Sequence, residues 1–246
     1  MPEATERRNV GTGTRRRATV LGIALLSVIP SFRRLSAQVG HDPGNSPYHD
    51  IPKGAAWVAT FGYLSGSRGS VDVGISDGVT GGIRYEVPFG AVGASLGIAY
   101  GQTSAFVQDA STVRDSLSRK SGPYDSRVVM ADAGLQLALA GRKSWRGFAP
   151  YVGGALGVAV GERIAKDTSG YKFGTKITLA PNAGFRWYPA RRLSVRGDFR
   201  LEFWKLSYPL SYKQANFQGS RILDVNASQT EWTAHPWVTI GLGWIF

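Results

Sequence analysis

The nine residues that end the chain, Val238-Thr239-Ile240-Gly241-Leu242-Gly243-Trp244-Ile245-Phe246, decide its fold. Apolar side chains occupy every second position from Val238 to Phe246, and the other parity holds mostly Thr and Gly. Successive side chains of a β-strand point to opposite faces, so this period of two predicts a strand with one apolar face. The chain is therefore expected to end in a strand.

The same alternation recurs upstream of this segment. From Leu193 to Phe203, apolar residues share one parity and charged residues take most of the other. Similar patterns lie near residues 57–63, 79–87, 92–103, 129–139, 148–161 and 173–187. In the segment 173–187, the apolar face is expected to begin at Phe173. Together with the final segment, these patterns predict eight strands.

The connections between these segments alternate in length. Short links are expected at residues 88–90, 141–147 and 189–192, and long polar ones near 65–76, 104–126, 162–172 and 208–230. Strand, long loop, strand and short turn in regular succession are typical of an up-and-down antiparallel meander. All the long loops then lie at one end.

The composition agrees with a β-rich fold. The 246 residues include 32 Gly and 11% aromatic residues, which favours strands and turns over long helices. Hydrophobic residues make up 43% of the chain and charged residues 19%, so most of it is not disordered. Because there is no Cys, disulfides, thiolate metal sites and cysteine nucleophiles are excluded.

The net charge of +12 is unevenly distributed along the chain. Seven arginines lie in the first 37 residues, and beyond them no run of basic residues is longer than the pair Arg191-Arg192. This pattern favours a solvated basic surface, or one that faces anionic lipid, over a nucleic-acid site. We predict no nucleic-acid partner.

Alternation alone does not show whether the apolar faces point into a soluble core or out into lipid. The opposite faces of two strands hold only small uncharged residues, which suits a crowded lumen better than a hydrated surface: Gly93, Ser95, Gly97 and Ala99, and Gly153, Ala155, Gly157 and Ala159. The apolar faces are roughly 9 to 11 residues long, the reach of a tilted strand across a bilayer. Aromatic residues gather at strand ends, where membrane interfaces favour them: Trp57, Tyr63, Tyr100, Phe148, Trp187, Tyr188, Phe203, Trp204, Trp232 and Trp244. The sequence therefore predicts an all-β protein, an eight-stranded antiparallel up-and-down transmembrane β-barrel.

The final strand also resembles the C-terminal assembly signal of the outer-membrane β-barrel family of Gram-negative bacteria, carried here by Gly241, Leu242, Trp244 and Phe246. Gly82-Ile83-Arg84-Tyr85-Glu86-Val87 is similar to the second strand of the small eight-stranded members, the OmpA-like transmembrane domain and its OmpX-like and OmpW-like relatives. The resemblance implies a location in the cell outer membrane, in contact with outer-membrane lipids and lipopolysaccharide. It also implies that the barrel-assembly machinery recognises the last strand.

The N-terminal region has the features of a secretory signal. Arg15-Arg16-Arg17 precedes an apolar run from Ala18 to Pro30, and Ala37 offers a small residue before a cut. The run is shorter than the ~20 residues that a spanning helix needs. We predict that residues 1–37 are a signal peptide removed on export, residues 38–53 an N-terminal periplasmic tail, and residues 54–246 the barrel.

In a membrane barrel, the charged residues of the strands point inward. Five are positive and four negative, which indicates mutual pairing inside the lumen: Arg84, Glu86, Asp132, Lys176, Arg186, Arg196, Asp198, Arg200 and Glu202. An eight-stranded interior is just wide enough to be filled by side chains. We therefore expect a filled lumen and a structural or surface-interaction role through the long extracellular loops, with a narrow channel for small molecules or ions as the alternative.

A third hypothesis is an enzyme that modifies lipid A. Small outer-membrane barrels of this kind use a lipid-accessible His and Ser pair. Here His41 and His49 precede the barrel, and His235 has no nearby Ser on its own face, so an interior or rim hydrogen bond is its expected role. No His, Asp or Glu cluster has metal-ligand spacing, and no Gly-rich phosphate motif appears. We predict no catalytic residues, no metal and no cofactor.

Overall fold

The computed structural model describes residues 46–109, 111–112 and 119–246. The predicted signal peptide and the first part of the predicted tail lie outside the described residues. In the described part of the chain, no helix is long and apolar enough to span a membrane.

Ten strands follow one another along the chain. Eight are long and two are short: β1 Tyr48–Asp50, β2 Ala56–Leu64, β3 Ser76–Phe89, β4 Val92–Gln108, β5 Lys120–Ala138, β6 Lys143–Trp145, β7 Phe148–Gly161, β8 Gly174–Ala190, β9 Leu193–Ser207 and β10 Thr230–Ile245. A short 3-10 helix, Leu210–Lys213, follows β9.

The eight long strands form a closed ring. Each pairs antiparallel with its neighbour, in the order β2, β3, β4, β5, β7, β8, β9, β10. β10 closes the ring on β2, with Trp244 opposite Trp57 and Trp237 opposite Leu64. Closure pairs the backbone groups of both edge strands, which removes the unpaired edges of an open sheet. The predicted eight-stranded antiparallel up-and-down barrel is confirmed.

Residues 46–55, which we call the strap, cross the end of the barrel that carries the short turns. β1 pairs with β6, in the connection from β5 to β7, with Tyr48 opposite Trp145. The Ile51 amide donates to the Arg142 carbonyl at 3.0 Å. Because β2 begins at Ala56 and β7 is four strands away around the ring, the strap runs from one wall to the opposite one.

The long connections lie at the other end of the barrel. Three agree closely with the sequence prediction and span residues 65–75, 162–173 and 208–229. The loop predicted at 104–126 is shorter than expected, because β4 and β5 keep pairing as far as Gln108 and Lys120. This hairpin therefore extends past the alternating apolar pattern that revealed its strands.

Apolar side chains of the long strands face outward, as the alternation predicts. Leu96, Leu156 and Ile240 are each more than 60% exposed. Phe173 is an exception and is buried, because Gly174, the first residue of β8, has a φ of +65° and interrupts the regular alternation of side chains there. Trp204 is also buried rather than part of an interfacial belt, since its neighbour Phe203 takes the outward position.

Candidate functional site: the charged interior

The inward faces of four strands bring eight of the nine predicted charged residues into contact. Arg84 and Glu86 come from β3, Asp132 from β5, Arg186 from β8, and Arg196, Asp198, Arg200 and Glu202 from β9. Four are positive and four negative. Because each residue is two positions from the next charged one along β3 and β9, strand geometry alone turns them to the same side.

One layer of the network lies towards the short-turn end. Glu86 contacts Arg186 at 3.1 Å and also pairs with Arg196. Arg196 in turn pairs with Asp198, which accepts a hydrogen bond from the hydroxyl of Tyr151. These contacts join β3, β7, β8 and β9 across the interior.

A second layer is centred on Asp132. Its Oδ2 lies 3.3 Å from Arg84 Nη2 and 3.2 Å from Arg200 Nη1. Arg200 also lies 3.9 Å from Glu202, and its guanidinium carbon is 5.3 Å from the ring centre of Trp237. The side chains of Arg84, Asp132 and Arg200 are each less than 10% exposed, so neither arginine has water to replace this carboxylate.

The glycine-rich strand faces accommodate this network rather than leave an open passage beside it. A Cβ atom at Gly97 would lie 3.1 Å from Asp132 Oδ2 and 3.2 Å from Arg84 Nη2. A Cβ at Gly157 would lie 2.4 Å from the carbonyl oxygen of Ala131. At Gly97 the space that the missing side chain leaves is therefore occupied by side chains from other strands, whereas at Gly157 it is closed by the backbone of the neighbouring strand β5.

Lys176 does not join the network. It is the third residue of β8, close to the loop end of the strand, and is only partly buried. Its ammonium lies 5.9 Å from the ring centre of Phe173, and among the described residues it forms no ion pair. Lys176 occupies an inward-facing position of β8, but it lies closer to the long-loop end of the barrel than the two charged layers do.

Sequence reasoning missed two polar residues of the interior. Tyr151 binds Asp198, and Gln136 accepts a hydrogen bond from Arg186. Both have the inward parity of their strands, so a search for polar residues on the inner faces would have found them. The face of β7 hid Tyr151, because its other inward residues are almost all Gly and Ala.

His235 is enclosed inside the barrel. Its ring stacks on Trp204 with the ring centres 3.8 Å apart, and its Nε2 lies 2.9 Å from Thr233 Oγ1. The imidazole therefore faces the interior and not the apolar outer surface. His49 lies on the exposed strand β1, and His41 is outside the described residues. No group of three or more possible metal ligands occurs in the part of the chain that the structure describes.

Above the charged layers, the long loops fold over the barrel mouth and form an apolar cluster with the strand ends. We call this cluster the loop cap; its buried members include Leu64, Val71, Val73, Ile75, Tyr171, Phe173, Trp204, Leu206, Tyr208, Tyr212 and Leu223. Glu231 ties two of the loops together, since it accepts hydrogen bonds from the Ser70 amide at 2.6 Å and from the Tyr208 hydroxyl. Burial raises the pKa of Tyr208, and the hydrogen bond to Glu231 raises it further, so this hydroxyl stays protonated and donates.

Comparison with known proteins adds a likeness of fold. No family model matches the chain, and neither does any curated protein. Several solved structures are similar to it in fold. Neisserial surface protein A is 13% identical over 82% of this chain and 98% of its own, with a TM-score of 0.45. The outer membrane protein OprG from Pseudomonas aeruginosa is 15% identical over 82% and 99%, with a TM-score of 0.49. The N-terminal β-barrel domain of OprF from the same organism is 13% identical over 77% and 98%, with a TM-score of 0.39.

These neighbours are small outer-membrane β-barrel proteins, the group that the C-terminal strand resembles. At such identities the likeness concerns the fold, and the fold is already established by the ring of paired strands. The charges that alternate along β3 and β9 meet inside that ring, and the apolar residues between them lie outside it. The chain is therefore an eight-stranded antiparallel up-and-down β-barrel with an apolar outer surface and a charged interior.

Proposed function

We propose that the chain is an integral outer-membrane protein whose barrel serves as a closed anchor for its long loops. The observation that carries this proposal is the inversion of polarity: ion pairs are buried inside the ring while large apolar side chains are exposed around it. Leu135 is 62% exposed and Ile177 is 74% exposed, with similar residues on neighbouring strands. Contiguous apolar surface of this extent marks a membrane-contacting protein. Charged side chains inside and apolar side chains outside are the reverse of the arrangement in a soluble barrel.

A closed lumen places the function outside the barrel interior. Two charged layers and the loop cap lie in succession along the axis, and at the short-turn end the strap residue Ile51 borders a recess of only about 40 Å³ together with Glu86 and Arg186. That volume holds only a few water molecules. No specific observation on the described residues favours a narrow channel.

The connection at residues 208–229 supports a surface-interaction role. It anchors itself by burying Tyr208, Tyr212 and Leu223 in the loop cap. The same connection exposes Phe217 by 87% and Leu210 by 70%. A loop that is held in place yet presents large apolar side chains is typical of a contact surface for another molecule.

We expect the purified wild-type barrel to remain nearly silent in planar lipid bilayers. The double variant Asp132→Ala with Arg200→Ala is expected to leak, because it removes two large side chains from the central layer without changing the net charge of the interior. Single-channel recording checks both. Steady, ion-selective conductance of the wild-type protein would show that the lumen is a channel and would overturn the closed-anchor proposal.

We expect Phe246→Asp to reduce assembly of the barrel into the membrane. Phe246 ends the outward apolar stripe of β10, its amide donates to the Ala55 carbonyl at 3.0 Å, and its ring lies 6.4 Å from that of Tyr85. The matched control is Phe217→Asp, the same change at an exposed loop position. Folded barrel is measured by its altered gel mobility before heating. Equal amounts of folded protein from both variants would contradict a role of Phe246 in assembly.

A further inference from the structure

Six basic side chains are exposed at the short-turn end of the barrel, and we call them the basic rim: Lys53, Arg142, Lys143, Arg146, Arg191 and Arg192. Lys53 belongs to the strap, and the others belong to the β5–β7 and β8–β9 connections. Among the described residues, none of the six forms an ion pair. Asp50 is the one acidic side chain that the described part of the chain exposes there.

The long-loop end has a different distribution of charge. Its basic and acidic side chains are interspersed, and several are paired, such as Arg68 with Asp77 at 2.6 Å and Lys120 with Asp72 at 2.7 Å. The interior contributes no net charge, since its four arginines meet four carboxylates. Among the described residues, the basic rim has six cations against Asp50, whereas the long-loop end has 11 cations against eight carboxylates. The net positive charge is therefore larger on the basic rim.

The basic rim follows directly on the apolar outer surface. Arg142 comes three residues after Leu139, which is 60% exposed, and Arg191 comes four residues after the outward-facing Trp187. The guanidinium carbon of Arg146 lies 5.3 Å from the ring centre of the exposed Trp145. Aromatic rings favour the membrane interface, and Arg and Lys side chains extend along apolar surface to place their charges in the headgroup layer.

The strap shapes this end into two open grooves. Lys53, Arg142 and Lys143 line one groove of about 420 Å³, and Arg146 and Arg191 line the other, of about 480 Å³. Asp50 borders both. In each groove, cations from more than one segment of the chain converge on a space that is open to the surroundings. Such a site suits a phosphate-bearing group that reaches in from the adjacent leaflet.

We propose that the basic rim binds the headgroups of anionic phospholipids in the leaflet that faces the short turns, and selects them over zwitterionic phospholipids. The proposal rests on the membrane insertion proposed above. A polybasic surface at the headgroup layer attracts anionic lipid, and the contribution of one well-placed cation corresponds to about a fivefold preference. The attraction is electrostatic and falls within a Debye length, so it weakens with salt.

Reconstitution of the full barrel into phosphatidylcholine vesicles tests the proposal, with spin-labelled phosphatidylglycerol or phosphatidylcholine as the probe. We expect the wild-type protein to associate with labelled phosphatidylglycerol about fivefold more strongly than with labelled phosphatidylcholine at low salt. The triple variant Arg142→Gln, Arg146→Gln and Arg191→Gln is expected to lower this ratio towards one, because it removes cations from both grooves and leaves Lys53, Lys143 and Arg192 in place.

The matched control removes three cations from the long-loop end, by Lys120→Gln, Lys213→Gln and Arg221→Gln, and should keep the wild-type ratio. An equal loss in both triple variants would show a general effect of net charge and would overturn the proposal. So would a ratio near one for an inserted wild-type barrel. Heat-modifiable gel mobility distinguishes failure of the proposed function from failure of the lipid proposal. A barrel that does not insert contradicts the proposed function. An inserted barrel without lipid preference contradicts only the binding of anionic phospholipid by the basic rim.

Discussion

Replacing Asp132 with alanine is expected to lower the free energy of unfolding by about 3 to 5 kcal/mol, the cost of leaving a buried charge without its partner. Asp132 Oδ2 is shared by Arg84 and Arg200, at 3.3 and 3.2 Å. Both guanidinium groups are nearly inaccessible to water, so the variant leaves two poorly compensated charges in the interior. Equilibrium unfolding of the reconstituted barrel in urea measures the loss.

Asp125→Ala is the matched control on the same strand. Asp125 is exposed, so its removal is expected to change the free energy of unfolding by no more than about 0.5 kcal/mol. A further variant, Asp132→Leu with Arg84→Met, Arg200→Met and Glu202→Met, should recover most of the lost stability, because it replaces all four charges of this layer by apolar side chains. A similar loss from Asp132→Ala and Asp125→Ala would show that the interior is hydrated enough to solvate the arginines.

Leu156→Arg is expected to destabilise the membrane-inserted barrel by about 2 to 4 kcal/mol, the cost of a cation on the lipid-facing surface near the bilayer midplane. Leu156 lies near the middle of β7 and is 63% exposed on the outside of the ring. It lies opposite Ala133 on one side and Leu179 on the other, so no acidic neighbour compensates an added charge. Unfolding from lipid vesicles measures the effect.

The control for this variant is Leu210→Arg, in the 3-10 helix of a long loop, where the leucine is 70% exposed. If water rather than lipid surrounds the barrel, the two substitutions should have equally small effects. That result would contradict membrane insertion, whereas a large effect confined to Leu156 would support it. The comparison uses the same pair of residue types at similar exposure, so it isolates the surroundings of the two sites.

Much of the interior could be predicted residue by residue. Parity on β3 and β9 turns Arg84, Glu86, Arg196, Asp198 and Arg200 inward, because a strand places alternate side chains on opposite faces whatever lies beside it. Which charge meets which could not be predicted. Asp132 contacts Arg84 and Arg200 from strands that are 48 and 68 residues away along the chain.

The alternation of positions did not predict the location of a side chain correctly where the backbone leaves regular strand geometry. Phe173 has the same parity as the outward residues of β8, but the positive φ of Gly174 separates it from that pattern and it packs in the loop cap. Lys176 has the inward parity but lies too close to the loop end to reach a carboxylate. Residues 46–53 belong to the predicted N-terminal tail, and the sequence does not reveal that part of this segment pairs with β6, which lies about 95 residues away along the chain.

The sequence by itself determined the strand number, the alternation of short and long connections, and which side chains share a face. These are local properties, since a period of two and a turn signal need only neighbouring residues. The tertiary structure alone decided how the ring closes, how the charges divide into two layers, and how strap and loops cover the two mouths. These depend on the register between strands, which shifts the height at which residues from distant segments meet inside a closed barrel.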